Sequence, residues 1–160
     1  MQITTLLLYI TAVLAILSGL AVMVGSRKSE RLKAASFLMA TIGAGGWAIG
    51  IATFESLPPG AEDLAKWVVL IGIYIAPLIM DMGLTYFVAW EKGILGKLLT
   101  GLIWAGWVVF AILVLALPDQ LYSNITLANR GNDVTLVQGW LYLAYSAFII
   151  VATSLMAGML

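Results

Sequence analysis

The chain contains no cysteine and no histidine, and only 10% of its 160 residues are charged. Without cysteine there is no disulfide and no thiolate chemistry. Without histidine there is no phosphoacceptor imidazole, no imidazole metal ligand and no Ser-His-Asp constellation. A P-loop, a dinucleotide-binding glycine fingerprint and an H-E-x-x-H run are also missing. The expectation is a protein without intrinsic catalysis, without a cofactor and without a nucleic-acid partner.

Polar side chains are too scarce to cover a soluble surface. Hydrophobic residues make up 62% of the chain, whereas a soluble domain is roughly 45–50% apolar and about 25% charged. Five long apolar stretches take their place: Ile3 to Gly25, Ala34 to Phe54, Leu64 to Trp90, Ile94 to Leu117 and Leu136 to Leu160. Each is at least as long as the ~20 residues that cross a ~30 Å hydrocarbon core. No gap between them approaches the ~50 residues of an aqueous domain. The expected fold class is therefore all-α, a polytopic bundle of five transmembrane helices making one membrane domain over residues 1–160.

Zero formal net charge conceals an asymmetry between the gaps. Arg27, Lys28, Arg31 and Lys33 flank the first gap, and Lys92 and Lys97 the third. The second and fourth gaps hold only Lys66 and Arg130, among Glu55, Glu62, Asp63, Asp119 and Asp133. Short cation-rich loops stay in the cytoplasm, so the amino terminus is expected outside and the end of the fifth helix inside. The first stretch is not read as a cleavable signal, because no Lys or Arg precedes it, it exceeds the usual apolar core, and a basic cluster follows it. An uncleaved anchor in a bacterial inner (cytoplasmic) membrane is the expectation.

Trp67 and Trp90 bracket the third stretch and Trp140 opens the fifth, the positions where amphipathic rings favour the water–lipid interface. Trp47, Trp104 and Trp107 lie deeper and read as packing residues. Gly43, Gly45, Gly46 and Gly50 crowd the second stretch, with Gly46 and Gly50 in G-x-x-x-G spacing. Such spacing lets another helix approach closely, either within the bundle or across a homodimer.

Pro77 interrupts the third helix, where its missing N–H and its ring should produce a kink. One turn later stands Asp81, the single acid well inside an apolar span. A carboxyl near the bilayer centre costs something like 2.5 to 3.5 kcal/mol on insertion scales, so it should face the bundle interior and find a partner. No Lys or Arg lies inside a span to serve. Asp81 is nine residues from Trp90, about 13 Å along the helix. Counting that depth into the other helices reaches Ser18, Thr41, Trp104 and Thr153, all hydrogen-bond donors. Two readings stand side by side: a structural polar clamp, and a signalling, proton or ligand site.

The fourth gap, Pro118 to Thr135, contains Asn124-Ile125-Thr126, an N-x-T glycosylation triplet that matters only in a glycosylating pathway. It also contains Asn129-Arg130-Gly131-Asn132-Asp133, a run that favours a turn. It reads as a connector, or as the place of an extracellular contact.

The order of these landmarks resembles the amino-terminal seven-helix membrane region of bacterial sensor histidine kinases. The features that carry the likeness are the outward-starting first helix, the basic Arg27–Lys33 loop and Trp47 in the second helix. Ala76-Pro77-Leu78 in the third and Gly139-Trp140-Leu141-Tyr142 opening the fifth after a polar loop complete it. The likeness spans nearly the whole chain, but its motifs are soft and transfer no site residue. It implies a membrane input module that passes a signal to a downstream cytoplasmic kinase or other output domain. Two departures stand out: five helices rather than seven, and an end at Met159-Leu160 inside an apolar helix with no basic cluster behind it. An incomplete copy, or the first part of a longer reading frame, is the corresponding expectation. Two rival readings are a small transporter or channel subunit and a tryptophan-rich translocator-type protein binding tetrapyrroles or sterols. The aromatic, proline-rich signature that the latter carries after its first helix is replaced here by the basic loop.

Overall fold

The computed structural model describes residues 3–127, 132–136 and 139–158. It is all-α apart from one small hairpin, and five helices are long and apolar enough to cross a membrane. The first runs Ile3–Gly25 and the second Arg31–Ser56. The third spans Glu62–Ala89, the fourth Gly93–Ala116 and the fifth Trp140–Ala157. The second helix is longer at both ends than its apolar stretch, because the amphipathic residues at its margins continue the backbone ladder. The fifth is shorter than predicted: residues 133–136 form a strand, so the helix begins only at Trp140.

Glycines set the packing of the first three helices. A Cβ on Gly50 would sit 2.5 Å from Gly72 Cα, so the second and third helices touch backbone to backbone there. Gly43 lies equally close to the backbone of Ala76 and Met80, and Gly83 to that of Ser36 and Ala40. Toward the other side, Gly45 meets Ile16 and Ala12, and Gly19 meets Thr41 and Leu38. The Gly46/Gly50 spacing is thus used inside the bundle, against Ala76 and Gly72. Close approach adds dispersion contacts, a main source of helix association in lipid.

The third helix is not uniform. Its Glu62–Val68 and Ala76–Ala89 parts are α-helical, but Val69–Ile75 is π-helical, with the Ala76 N–H bonded to Ile71 O. Pro77 follows directly. Its ring clashes with the carbonyl one turn earlier in a regular α-helix and its nitrogen donates nothing; a wider preceding turn relieves both. The interruption predicted at Pro77 therefore takes the form of a π segment lying just before it.

The Pro118–Thr135 connector is more structured than expected. Strands Tyr122–Thr126 (β1) and Asp133–Leu136 (β2) pair antiparallel, with an irregularity between Tyr122 and Asn124. That bulge turns both Tyr122 and Ile125 inward, three residues apart, where strict alternation would put them on opposite faces. They join Leu121, Phe54, Val69 and Tyr74 in the main apolar core. The turn predicted at Asn129–Asp133 lies largely outside the described residues. Asn132 at its edge is described, and its amide donates to Phe54 O at 2.6 Å and Leu57 O at 2.9 Å. Asn124 is exposed and its amide reaches Thr126 Oγ1 at 3.5 Å.

Polar contacts fix which loops share an end. Lys33 pairs with Glu91 at 2.6 Å, joining the first and third gaps. At the opposite end Thr5 Oγ1 donates to Glu55 Oε2 at 3.0 Å, and Asn132 bonds the end of the second helix. The two cation-rich gaps therefore lie together, away from the hairpin.

Candidate functional site

Asp81 lies in the second, α-helical part of the third helix and is only 4% exposed. Its helix faces the second helix on one side through Gly83 and the fifth on another. No protein donor reaches its carboxyl among the described residues. The carboxyl opens instead on a cleft of about 320 Å³ between the third and fifth helices. Pro77, Met80 and Leu84 line it from one side, Thr153 and Met156 from the other. A carboxyl taken from water without a hydrogen bond is costly, so this residue is held where the fold gains nothing from it.

Of the residues matched to Asp81 by depth, the structure brings Thr153 to the same cleft, together with Pro77. The other three are elsewhere engaged. Ser18 Oγ donates to Ala15 O at 2.7 Å on an exposed face of the first helix, and Thr41 Oγ1 to Leu38 O at 2.9 Å. Trp104 Nε1 donates to Met82 O at 3.1 Å, next to Asp81 in sequence but on the backbone. The predicted polar clamp of Ser18, Thr41 and Trp104 on the Asp81 side chain is therefore not formed. Equal depth does not give equal rotation about the helix axis.

Two residues that sequence reasoning did not single out, Thr85 and Tyr145, shape the surroundings, together with Trp107, which it read as a packing residue. Thr85, fully buried, donates toward Asp81 O at 2.8 Å or Met156 Sδ at 2.9 Å, which ties the third helix to the fifth. Tyr145 of the fifth helix donates its hydroxyl to Tyr74 O at 2.8 Å, inside the π segment. A side chain from a neighbouring helix satisfying disturbed backbone is the usual solution in an apolar medium. Trp107, with no exposed surface, packs edge-on against Phe148 at 5.0 Å, and its indole N–H has no partner among the described residues. No sequence signal marked Tyr145, which lies 68 residues from Pro77; Thr85, one turn from Asp81, was the available signal for the interhelical tie.

The backbone of the fifth helix is spaced more widely from its neighbours than those of the first three helices are from one another. The first and second helices, and the second and third, approach closely at glycines, whereas the fifth meets the third and fourth through side chains. What the site offers chemically is one buried acid in an apolar cleft, beside a hydroxyl and two thioethers, between a helix with a π joint and a helix packed on it through side chains. Among the described residues no group of acids could hold a metal ion. No protein-family model, curated protein or solved structure matches the chain.

Proposed function

We propose that this chain is the membrane input module of a signal-transduction protein of the histidine-kinase type, inserted in the cytoplasmic membrane with its amino terminus outside. The observation that carries the reading is the uncompensated Asp81, buried in a cleft between the jointed third helix and the fifth. Ionisable groups inside a span are expensive and mark functional sites by default. A stimulus works only if it favours one helix arrangement over another. A guest or proton at Asp81 acts at the boundary between two helices, with the π segment as the place where the third can yield. Displacement of the fifth helix then reaches whatever output domain follows it. The order of landmarks along the chain supports the same reading, and the cation-rich end supports the orientation.

The test is a fusion that adds two further membrane helices and the cytoplasmic kinase of a sensor histidine kinase behind the fifth helix. Autophosphorylation that changes several-fold on Asp81→Asn, with the protein still folded, is the expected result. Solute flux through the purified chain in proteoliposomes would replace this reading with a transporter or channel subunit. Specific tetrapyrrole or sterol binding would replace it with a translocator-type protein.

A further inference from the structure

The cleft at Asp81 has a shape as well as a charge. Its lining runs from Pro77 to Val88 on the third helix and from Ile149 to Ala157 on the fifth. The third and fifth helices run in the same direction, and the Thr85–Met156 and Tyr74–Tyr145 contacts put Asp81 within about one residue of the level of Thr153. The eleven steps from Pro77 to Val88 run about 16 Å along the third helix and the eight from Ile149 to Ala157 about 12 Å along the fifth. Its volume of about 320 Å³ is spread along that length, so the cleft is elongated. Asp81 stands about a third of the way along the third-helix wall, and beyond it the lining runs for about 10 Å past Leu84 to Val88 on the third helix and about 6 Å past Met156 to Ala157 on the fifth, without a charge.

We propose that this cleft binds a lipophilic monoamine, its ammonium on the Asp81 carboxylate and Thr153 hydroxyl and its apolar body along Leu84 and Val88. The assignment rests on the reading of this cleft as the input site. A single acid without a cation from its own chain selects a cationic head over a neutral or anionic one, because only a cation offsets the carboxylate's lost hydration. Every Lys and Arg sits outside the apolar core of the helices, at the loops or span ends, so none competes for the place. Elongated, uncharged walls select an extended apolar body over a polar one, and 300–1,000 Å³ is the usual size range of small-molecule sites. The thioethers of Met80 and Met156 adapt to small differences in the guest.

The experiment is equilibrium binding of radiolabelled octylamine to the full chain in nanodiscs, with empty nanodiscs as the blank. Saturable binding at one site per chain is expected, displaced by other linear amines and not by octanol or octanoate. Asp81→Asn should weaken it at least about tenfold, and Leu84→Trp, which fills the channel away from the acid, should abolish it. Helix content and thermal unfolding of both variants establish that they are folded. Binding no greater than the blank, equal displacement by octanol, or unchanged affinity in folded Asp81→Asn would overturn the assignment. Saturable amine binding with no effect on the kinase fusion would reject the sensory reading and keep the site. A fusion that responds to Asp81→Asn with no amine binding would do the reverse.

Discussion

The two halves of this bundle are held together by different means. Helices one to three meet through glycines at backbone distance, with Gly50 on Gly72, Gly43 on Ala76 and Met80, and Gly83 on Ser36 and Ala40. Helices four and five meet through rings: Trp107 on Phe148 at 5.0 Å, Phe110 on Phe148 at 5.0 Å and Phe110 on Tyr145 at 6.0 Å. Backbone contact has one solution, since neither chain can give way. Ring contact has several, because a side chain can turn. The first half is built as a frame and the second as a part that can be repositioned against it, and Asp81 sits on the line between them.

The sharpest way to break this comparison is to add side chains to each half. Gly50→Ala places a Cβ 2.5 Å from Gly72 Cα and should cost about 2–3 kcal/mol, the upper part of the usual overpacking penalty; unfolding of the purified protein in detergent would show it. Gly106→Ala on the fourth helix meets only the Phe148 ring, and the same measurement should give about 1 kcal/mol or less. Equal losses would mean that the halves are equally rigid.

A second change probes the link between the halves. Tyr145→Phe removes the hydroxyl bonded to Tyr74 O, and polar contacts in membranes average ~0.6 kcal/mol with a maximum near 1.7. A loss within that range is expected, together with faster hydrogen exchange confined to the π segment. Protection lost instead throughout the second helix would place the weak point in the frame.

Asp81→Leu should change stability little and in the favourable direction. No protein hydrogen bond is lost, and an unpaired carboxyl leaves an apolar cleft. A destabilisation of more than about 1 kcal/mol in the same unfolding assay would reveal a partner for the carboxyl and restore the clamp. The smallest effect belongs to Lys33→Ala. Its ion pair with Glu91 is 42% and 65% exposed at the side chains, and such pairs contribute about 0–1 kcal/mol. Independently of stability, single cysteines at Ser29 and Asn129 of this cysteine-free chain should label from opposite faces of the membrane. Labelling from one face would end the five-span orientation.

The spans, and the isolation of Asp81, were legible because both depend on composition over ~20 residues, a signal that survives any detail of packing. The choice of glycine face was legible in part: Gly46 and Gly50 announced a close approach, while the identity of the surface they meet, Gly72 and Ala76, depends on three-dimensional rotation. For Asp81 the depth count placed Thr153 correctly and failed for Ser18 and Thr41. A count along the axis fixes height, but each residue also turns the side chain by about 100°, and the hydroxyls of Ser18 and Thr41 bond their own helices. The hairpin went unread because strands of five and four residues give little alternation, and the bulge after Tyr122 breaks what there is. Pro77 marked the break in the third helix without indicating that the strain is taken up before it, over Val69–Ile75.

The two ends of the bundle also differ in what fastens them, and this gives the protein an uneven response to ionic strength. At the hairpin end the Asn132 amide clasps two main-chain carbonyls, Phe54 O and Leu57 O, and neutral hydrogen bonds are almost indifferent to dissolved ions. At the cation-rich end the first and third gaps are joined through Lys33 and Glu91, both in contact with solvent, where the screening length is ≈ 8 Å at physiological salt and ≈ 3 Å at 1 M. Concentrated electrolyte therefore weakens the tie between the first and third gaps, by no more than the pair's about 0–1 kcal/mol, and leaves the hairpin clasp unchanged.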